Sequence, residues 1–207
     1  LTPCLEIELS RRPGSDLRQT LEFRLLYLRQ EEARFADGAF TGTRYRNYWI
    51  PQLRYTYRDR SLLSPLYLRL QVEQQDIRHE GVPGDYIKVS LEVKKEWRYE
   101  EKKRWGLRFF AGYFTVNSFR EASQPIRQAF ALSHQGFNDY TFEHNFLARS
   151  EGSGFLARQT TGWEGGFKNA PLRDLGRSNE GMVALNLYAD LPLRLPDLLP
   201  LKAYFDL

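Results

Sequence analysis

The chain has 207 residues, 42% hydrophobic and 27% charged, the proportions of a folded chain and not of a disordered one. Aromatic residues reach 14%, the 30 basic side chains are 23 Arg and 7 Lys, and a lone Cys4 excludes an intrachain disulfide framework. No apolar run approaches the ~18 residues of a membrane helix, and the N-terminal residues do not read as a signal peptide, so a helical membrane protein is excluded.

The first four residues, LTPC, have the outline of a lipoprotein cleavage site, but Pro3 stands where a small Gly or Ala belongs and no apolar segment precedes it. From there on the pattern is alternation, the mark of a strand with two different faces. Residues 3–11 set Leu5, Ile7 and Leu9 against Glu6 and Glu8, and residues 18–30 set Leu21, Phe23, Leu25 and Tyr27 against Glu22 and Arg24. In YRNYWIPQLRYTYR one face is Tyr45, Trp49, Leu53, Tyr55 and Tyr57, and the other is Arg46, Gln52, Arg54, Thr56 and Arg58. PLYLRLQVEQQ alternates Leu66, Leu68, Leu70 and Val72 with Tyr67, Arg69, Gln71 and Glu73. YIKVSLEVKKEWRY puts Ile87, Val89, Leu91, Val93, Trp97 and Tyr99 opposite Lys88, Ser90, Glu92, Lys94, Glu96 and Arg98. After the polar turn EEKK, RWGLRFFAGYFTVN places Trp105, Leu107, Phe109, Ala111 and Tyr113 on one face, with Arg108, Phe110, Gly112 and Phe114 on the other.

Similar but weaker alternation runs through 126–134, 139–149, 154–164, 181–190 and 200–207. Turn-forming stretches separate the strands: RRPGSD, ADGAFTGT, RHEGVPGD, SEGSG and KNAPLRDLGRSNEG. The sequence therefore predicts an all-β protein: an antiparallel up-and-down meander of about 10–12 strands in a single domain over 1–207, with eleven strands counted and no helix.

Two architectures take many alternating strands: a soluble sandwich or barrel with an apolar core, and a membrane barrel that is apolar outside and polar inside. The clearest arms exceed the ~5–6 residues of a soluble strand and suit the ~9–11 of a bilayer crossing. Aromatic residues gather near strand ends, as in the girdles of membrane barrels. Tyr45, Tyr48 and Trp49 form one such group, and Trp97, Tyr99 and Trp105 flank the EEKK turn. A transmembrane β-barrel in a bacterial outer membrane is the expected fold, with outer-membrane lipid as its surroundings. Arg near the aromatic belt could meet glycolipid phosphates. The mean hydropathy of −0.57 agrees with this, because only one face of each strand meets lipid.

The hairpin 139–149/154–164 applies the same logic. One face holds Glu143, Arg149, Arg158 and Glu164, a charge network expected in the lumen, and the other holds Tyr140, Phe142, Phe146, Phe155 and Trp163. His144 and Gln159 fall on the apolar face against the pattern.

Motifs of chemistry are missing. None of His79, His134 and His144 belongs to a HExxH helix; GWEGGFK lacks P-loop spacing; Ser153 in EGSGF has Glu151 where a nucleophile elbow needs Gly. No catalytic, cofactor-binding or metal-ligating residue is expected. The 26 acidic residues are spread among the basic ones without a separate cationic run, which argues against nucleic acid despite the net charge of +4.

The block NDYTFEHNFLARSEGSGFLARQTTGWEGGFKNA, preceded by GLRFFAGYFTVN and followed by MVALNLYADLPL, resembles the C-terminal outer-membrane β-barrel region of gluzincin-type, aminopeptidase-like zinc metallopeptidases of Bacteroidetes. The residues that carry it are Asp139, Tyr140, Ala148 to Glu151, Ser153, Gly154, Gln159 and Glu164 to Lys168, and it covers residues 104 to 207. The resemblance implies a membrane barrel attached to an upstream peptidase domain that bears the zinc, and assigns no catalytic residue to this chain. An odd strand count, where single-chain bacterial barrels have an even one, predicts that the chain is an excerpt of a longer protein. Three roles follow: a non-catalytic barrel that anchors or exports the peptidase, a stand-alone outer-membrane channel, and a soluble β-barrel that binds a ligand.

Overall fold

A computed structural model describes residues 3–9, 16–36, 39–79, 82–101, 103–118, 129–132, 164–167, 176–191 and 201–207. Alternating residues form strands throughout: β1 (Cys4–Glu8), β2 (Leu17–Ala36), β3 (Ala39–Asp59), β4 (Leu66–His79), β5 (Val82–Glu100), β6 (Lys103–Asn117), β7 (Phe130–Ala131), β8 (Arg177–Ser178), β9 (Gly181–Asp190) and β10 (Lys202–Asp206). Eight of them make one antiparallel sheet in the order β1-β2-β3-β4-β5-β6-β9-β10, and β7 pairs with β8. Among the described residues the sheet does not close on itself; β1 and β10 are its edges.

Strand lengths and neighbours differ from the sequence reading in three places. Strands β2 and β3 run to 20 and 21 residues, because pairing continues through the Gly- and Ala-rich stretch to Ala36↔Ala39. The stretch 126–134 contributes only the two-residue β7 among its described residues, and a second short strand, β8, lies inside the predicted loop 168–181. Strand β6 pairs directly with β9, so residues more than sixty apart in sequence become neighbours in the sheet. Hydrogen-bonded pairing over long sequence separations selects the neighbour, which local alternation cannot encode.

Register carries each face across the sheet. One rung runs Leu21, Tyr55, Leu70, Leu91, Ala111, Val183; the adjacent one runs Glu22, Arg54, Gln71, Ser90, Gly112, Met182. The apolar face is the exposed one: Phe23, Leu53, Leu70 and Tyr113 are exposed, and Val183 reaches 70%. The polar face is the covered one, with Arg24, Gln52, Glu73, Glu92, Arg108 and Asn186 all buried. This inverts the usual distribution, in which charged residues are almost never fully buried and large apolar side chains are.

An aromatic cluster covers the polar face. Tyr86, Phe110, Phe114, Phe130 and Ala184 are buried together, with Phe167 and Met182 packed against them. Phe130 is fully buried, with its ring 4.9 Å from Phe114 and 5.9 Å from Phe110. Gly112 makes room for it, since a Cβ there would strike the Phe130 ring.

Replacing Gly112 by Val is expected to destabilise the chain by about 1–3 kcal/mol through overpacking. Urea midpoints should fall accordingly, and Phe130→Ala in the same chain should remove most of the added cost, because the collision has lost its partner.

Candidate functional site

The covered face is the only densely functionalised surface among the described residues. Its centre is Glu92 on β5, 1% exposed, whose carboxylate is shared by three cations. Arg108 Nε donates to Oε1 at 2.5 Å, Lys94 Nζ lies 3.1 Å from Oε1, and Arg69 Nη2 lies 2.9 Å from Oε2. Each partner is a neighbour of Glu92 on the sheet: Arg69 faces it on β4, Lys94 is two residues along β5, and Arg108 faces Lys94 from β6. An unpaired charge here would carry a large desolvation cost, so pairing is a condition of the fold.

A second buried carboxylate, Glu73, accepts from Gln52 Nε2 at 2.6 Å and from the Tyr86 hydroxyl. Oε1 of Gln52 has no hydrogen-bond partner among the described residues. Further along, Glu22 pairs with Arg24 at 3.5 Å and Arg54 at 3.4 Å, and Arg54 Nε donates to Gln71 Oε1 at 3.1 Å. Charges of opposite sign thus follow one another across five strands.

A turn at residues 164–167 docks on this face. Glu164 takes Lys88 Nζ at 2.7 Å on Oε1 and the Ala131 backbone N–H at 2.6 Å on Oε2, while its carbonyl accepts from Arg108 Nη2. Arg108 also donates through Nη1 to Asn186 Oδ1 at 2.9 Å, joining the turn to β9. Two adjacent glycines make the approach possible. A Cβ at Gly165 would lie 2.8 Å from the Leu132 Cα, and one at Gly166, whose φ is +70°, would lie 2.6 Å from Arg108 Nη1. Glu164 itself sits at φ 46°, a conformation uncommon for a non-glycine residue, held by its two bonded carboxylate oxygens. The N–H of Gly165 bonds the Ala131 carbonyl at 3.1 Å and that of Phe167 the Leu132 carbonyl at 2.9 Å.

Of the four charges expected in a lumen, Glu164 lies on the covered face, reaching it from a turn and not from a strand; Glu143, Arg149 and Arg158 lie outside the described residues. Tyr45, Trp49, Trp97, Tyr99 and Trp105 fall on the exposed face; the side chain of Tyr48 lies outside the described residues. Trp97 and Trp105 stack across β5 and β6, 4.2 Å between centroids and 15° between planes, and the Tyr99 hydroxyl donates to the Asp190 carbonyl. At the other end Trp49 packs on Tyr27 at 4.7 Å, the Tyr27 hydroxyl donates to Asn47 at 2.9 Å, and the Arg29 guanidinium lies 4.1 Å over the Tyr45 ring. About twelve residues of register separate the two groups, ~40 Å at ~3.3 Å per residue. Sequence reasoning missed the role of the glycine turn, although the adjacent Gly165 and Gly166 after a carboxylate were a visible signal.

At the β1 edge of this face the Cys4 thiol donates to Glu22 Oε1 at 3.3 Å, and no group of three or more His, Cys, Asp or Glu residues that could hold a metal occurs among the described residues. Its chemistry is ion pairing. Comparison with protein-family models, curated proteins and solved structures finds no match to this chain.

Glu92→Gln leaves three cations without their shared charge and is expected to cost about 3–5 kcal/mol, the range for breaking one partner of a buried pair. Glu100→Gln, in the exposed pair with Lys103, should stay within about 0.5 kcal/mol. Denaturant unfolding of both variants under one condition checks the contrast.

Proposed function

We propose that this chain is a non-catalytic transmembrane β-barrel segment of a bacterial outer membrane, with a closed interior, that anchors an attached peptidase domain. The observation that carries it is the reversal of the two faces: buried carboxylates and guanidinium groups on one side of the sheet, exposed Leu, Val, Phe and Tyr on the other. In water such a sheet would expose its apolar side at great cost, whereas in a bilayer that side is the solvated one.

The dimensions agree. On β5 the outward apolar residues run from Ile87 to Val93, between Asp85 and Lys95, and Lys95 turns its ammonium to Ser64 O at 2.8 Å. Ten residue steps make ~33 Å along a strand, and at a tilt of ~40° that is a band ~25 Å tall, the height of the apolar belt of such barrels. The paired aromatic groups fall outside this band at either end. An open edge cannot remain in lipid, because unpaired backbone groups there cost several kcal/mol each, so in the bilayer β1 and β10 must find partners.

Closure of the interior favours anchoring over conduction. The Glu164 turn and Phe130 occupy the charged face around Lys88, Arg108 and Gly112 with buried ion pairs and ring packing. The attached peptidase rests on the resemblance of residues 104 to 207 to the barrels of Bacteroidetes zinc peptidases.

Leu70, exposed at mid-band, gives the test. In lipid vesicles Leu70→Arg should lower stability by about 2–4 kcal/mol; on a water-facing surface the change would stay within about 0.5 kcal/mol. Planar-bilayer recordings of the inserted chain should show no steady conductance. A stable open pore would favour the channel reading, and a monomer soluble without detergent would overturn the membrane one.

A further inference from the structure

Beside the glycine turn, toward the Trp97 and Trp105 end, the covered face holds a cavity of about 330 Å³ that anchoring does not use. Three successive inward rungs build it. The first is Lys94, Arg108, Asn186 and Asp206; the second is Glu96, Gly106, Tyr188 and Tyr204; the third sets Arg104 and Lys202 on either side of Asp190. Gly166 of the docked turn completes the lining.

The carboxylates of this wall are engaged within the protein. Glu96 accepts from Arg104 Nη1 at 2.9 Å and from the Tyr188 hydroxyl, and Asp206 Oδ1 accepts from Asn186 Nδ2 at 2.9 Å. Asp190 Oδ1 lies 3.5 Å from Lys202. Lys94 and Arg108 share Glu92 with Arg69, and Asp206 completes the rung, so three cations meet two carboxylates at that end. The middle rung sets two tyrosine rings beside the Glu96 carboxylate, which is held by Arg104 and the Tyr188 hydroxyl. Gly106 has no side chain, and the Tyr188 ring lies across the space a Cβ would fill, with Tyr204 beside it on β10.

Cations at two ends of an aromatic floor suit one kind of ligand. Guanidinium groups grip oxyanions in paired hydrogen bonds, and tyrosine rings accept the apolar face of a sugar. The volume lies at the small end of ligand sites, which span ~300–1,000 Å³, and fits one monosaccharide unit. The geometry points to a binding site for a monosaccharide that bears an oxyanion, phosphate or carboxylate, its ring on Tyr188 and Tyr204 and its charge between the two cationic rungs.

Isothermal titration of the full chain in detergent micelles tests this, with glucose 6-phosphate, glucuronate, glucose and inorganic phosphate as probes. Glucose 6-phosphate or glucuronate should bind at least about tenfold more tightly than glucose or phosphate, and the stronger of the two identifies the oxyanion. Arg104→Ala and Tyr204→Ala, at half-exposed positions, should each weaken that binding about tenfold, and added salt should weaken it too. The site is refuted if neither sugar acid binds, if both variants bind as the parent does, or if phosphate alone matches the sugar acids. Vesicle insertion is scored separately, so a silent titration on an inserted chain removes the ligand site and leaves the membrane reading intact.

Discussion

A strand residue can face only one of two sides, and here the charged side is covered while the apolar side is exposed. Once Glu92 must lie among Arg69, Lys94 and Arg108, the register of β4, β5 and β6 is fixed, because a slip of one residue in any of the three would send that strand's share of the four charges to the opposite face. A slip of β5 would also bring Leu91 and Val93 onto the charged side, and a slip of β6 would bring Phe109 there. The ion-pair knot and the apolar exterior are therefore one constraint seen from two sides. Everything else on the covered face is fitted to it, including the Arg108 side chain, which closes the knot, reaches Asn186 on β9 and holds the carbonyl of Glu164.

Buried ion pairs of this kind are weak contributors to net stability but strong selectors of arrangement. Their use here is consistent with that: long strands rich in Tyr, Phe, Val and Leu could pair in several registers, and only one satisfies the carboxylates. The glycine turn adds a second selection. Glu164 reaches Lys88 across 76 residues of sequence, and the approach works only because Gly165 and Gly166 lack side chains at the contact with Leu132 and Arg108.

The faces of β4, β5 and β6 were legible in the sequence because their alternation is nearly unbroken, as in Ile87, Val89, Leu91 and Val93 against Lys88, Ser90, Glu92 and Lys94. What alternation could not supply was partnership. Nothing near Asn117 says that β6 will lie beside Gly181 to Asp190, since that pairing is made over long sequence separation. Turn-like residues between Ala36 and Thr43 hid the continuation of β2 and β3, where cross-strand pairing overrides weak local preference. One clue was present and unused: Phe110, Gly112 and Phe114 fall on the otherwise charged face of β6. Two aromatics flanking a glycine on a polar face imply something packed against them, and Phe130 is that partner. In the candidate site, Glu164 was legible as an inward charge, while its turn geometry and the cavity beside it depend on contacts among β5, β6, β9 and β10 that no single segment contains.

The central claim is that opposite faces of one strand meet lipid and protein interior. The most direct measurement is collision accessibility of nitroxide labels placed one at a time at positions 87 to 94 of β5, in vesicles, with Cys4 replaced by Ser. The account predicts strong oxygen accessibility and weak accessibility to a water-soluble nickel complex at 87, 89, 91 and 93, with low accessibility to both reagents at 88, 90, 92 and 94. High nickel accessibility at the odd positions would mean that the apolar face is in water, and would contradict it.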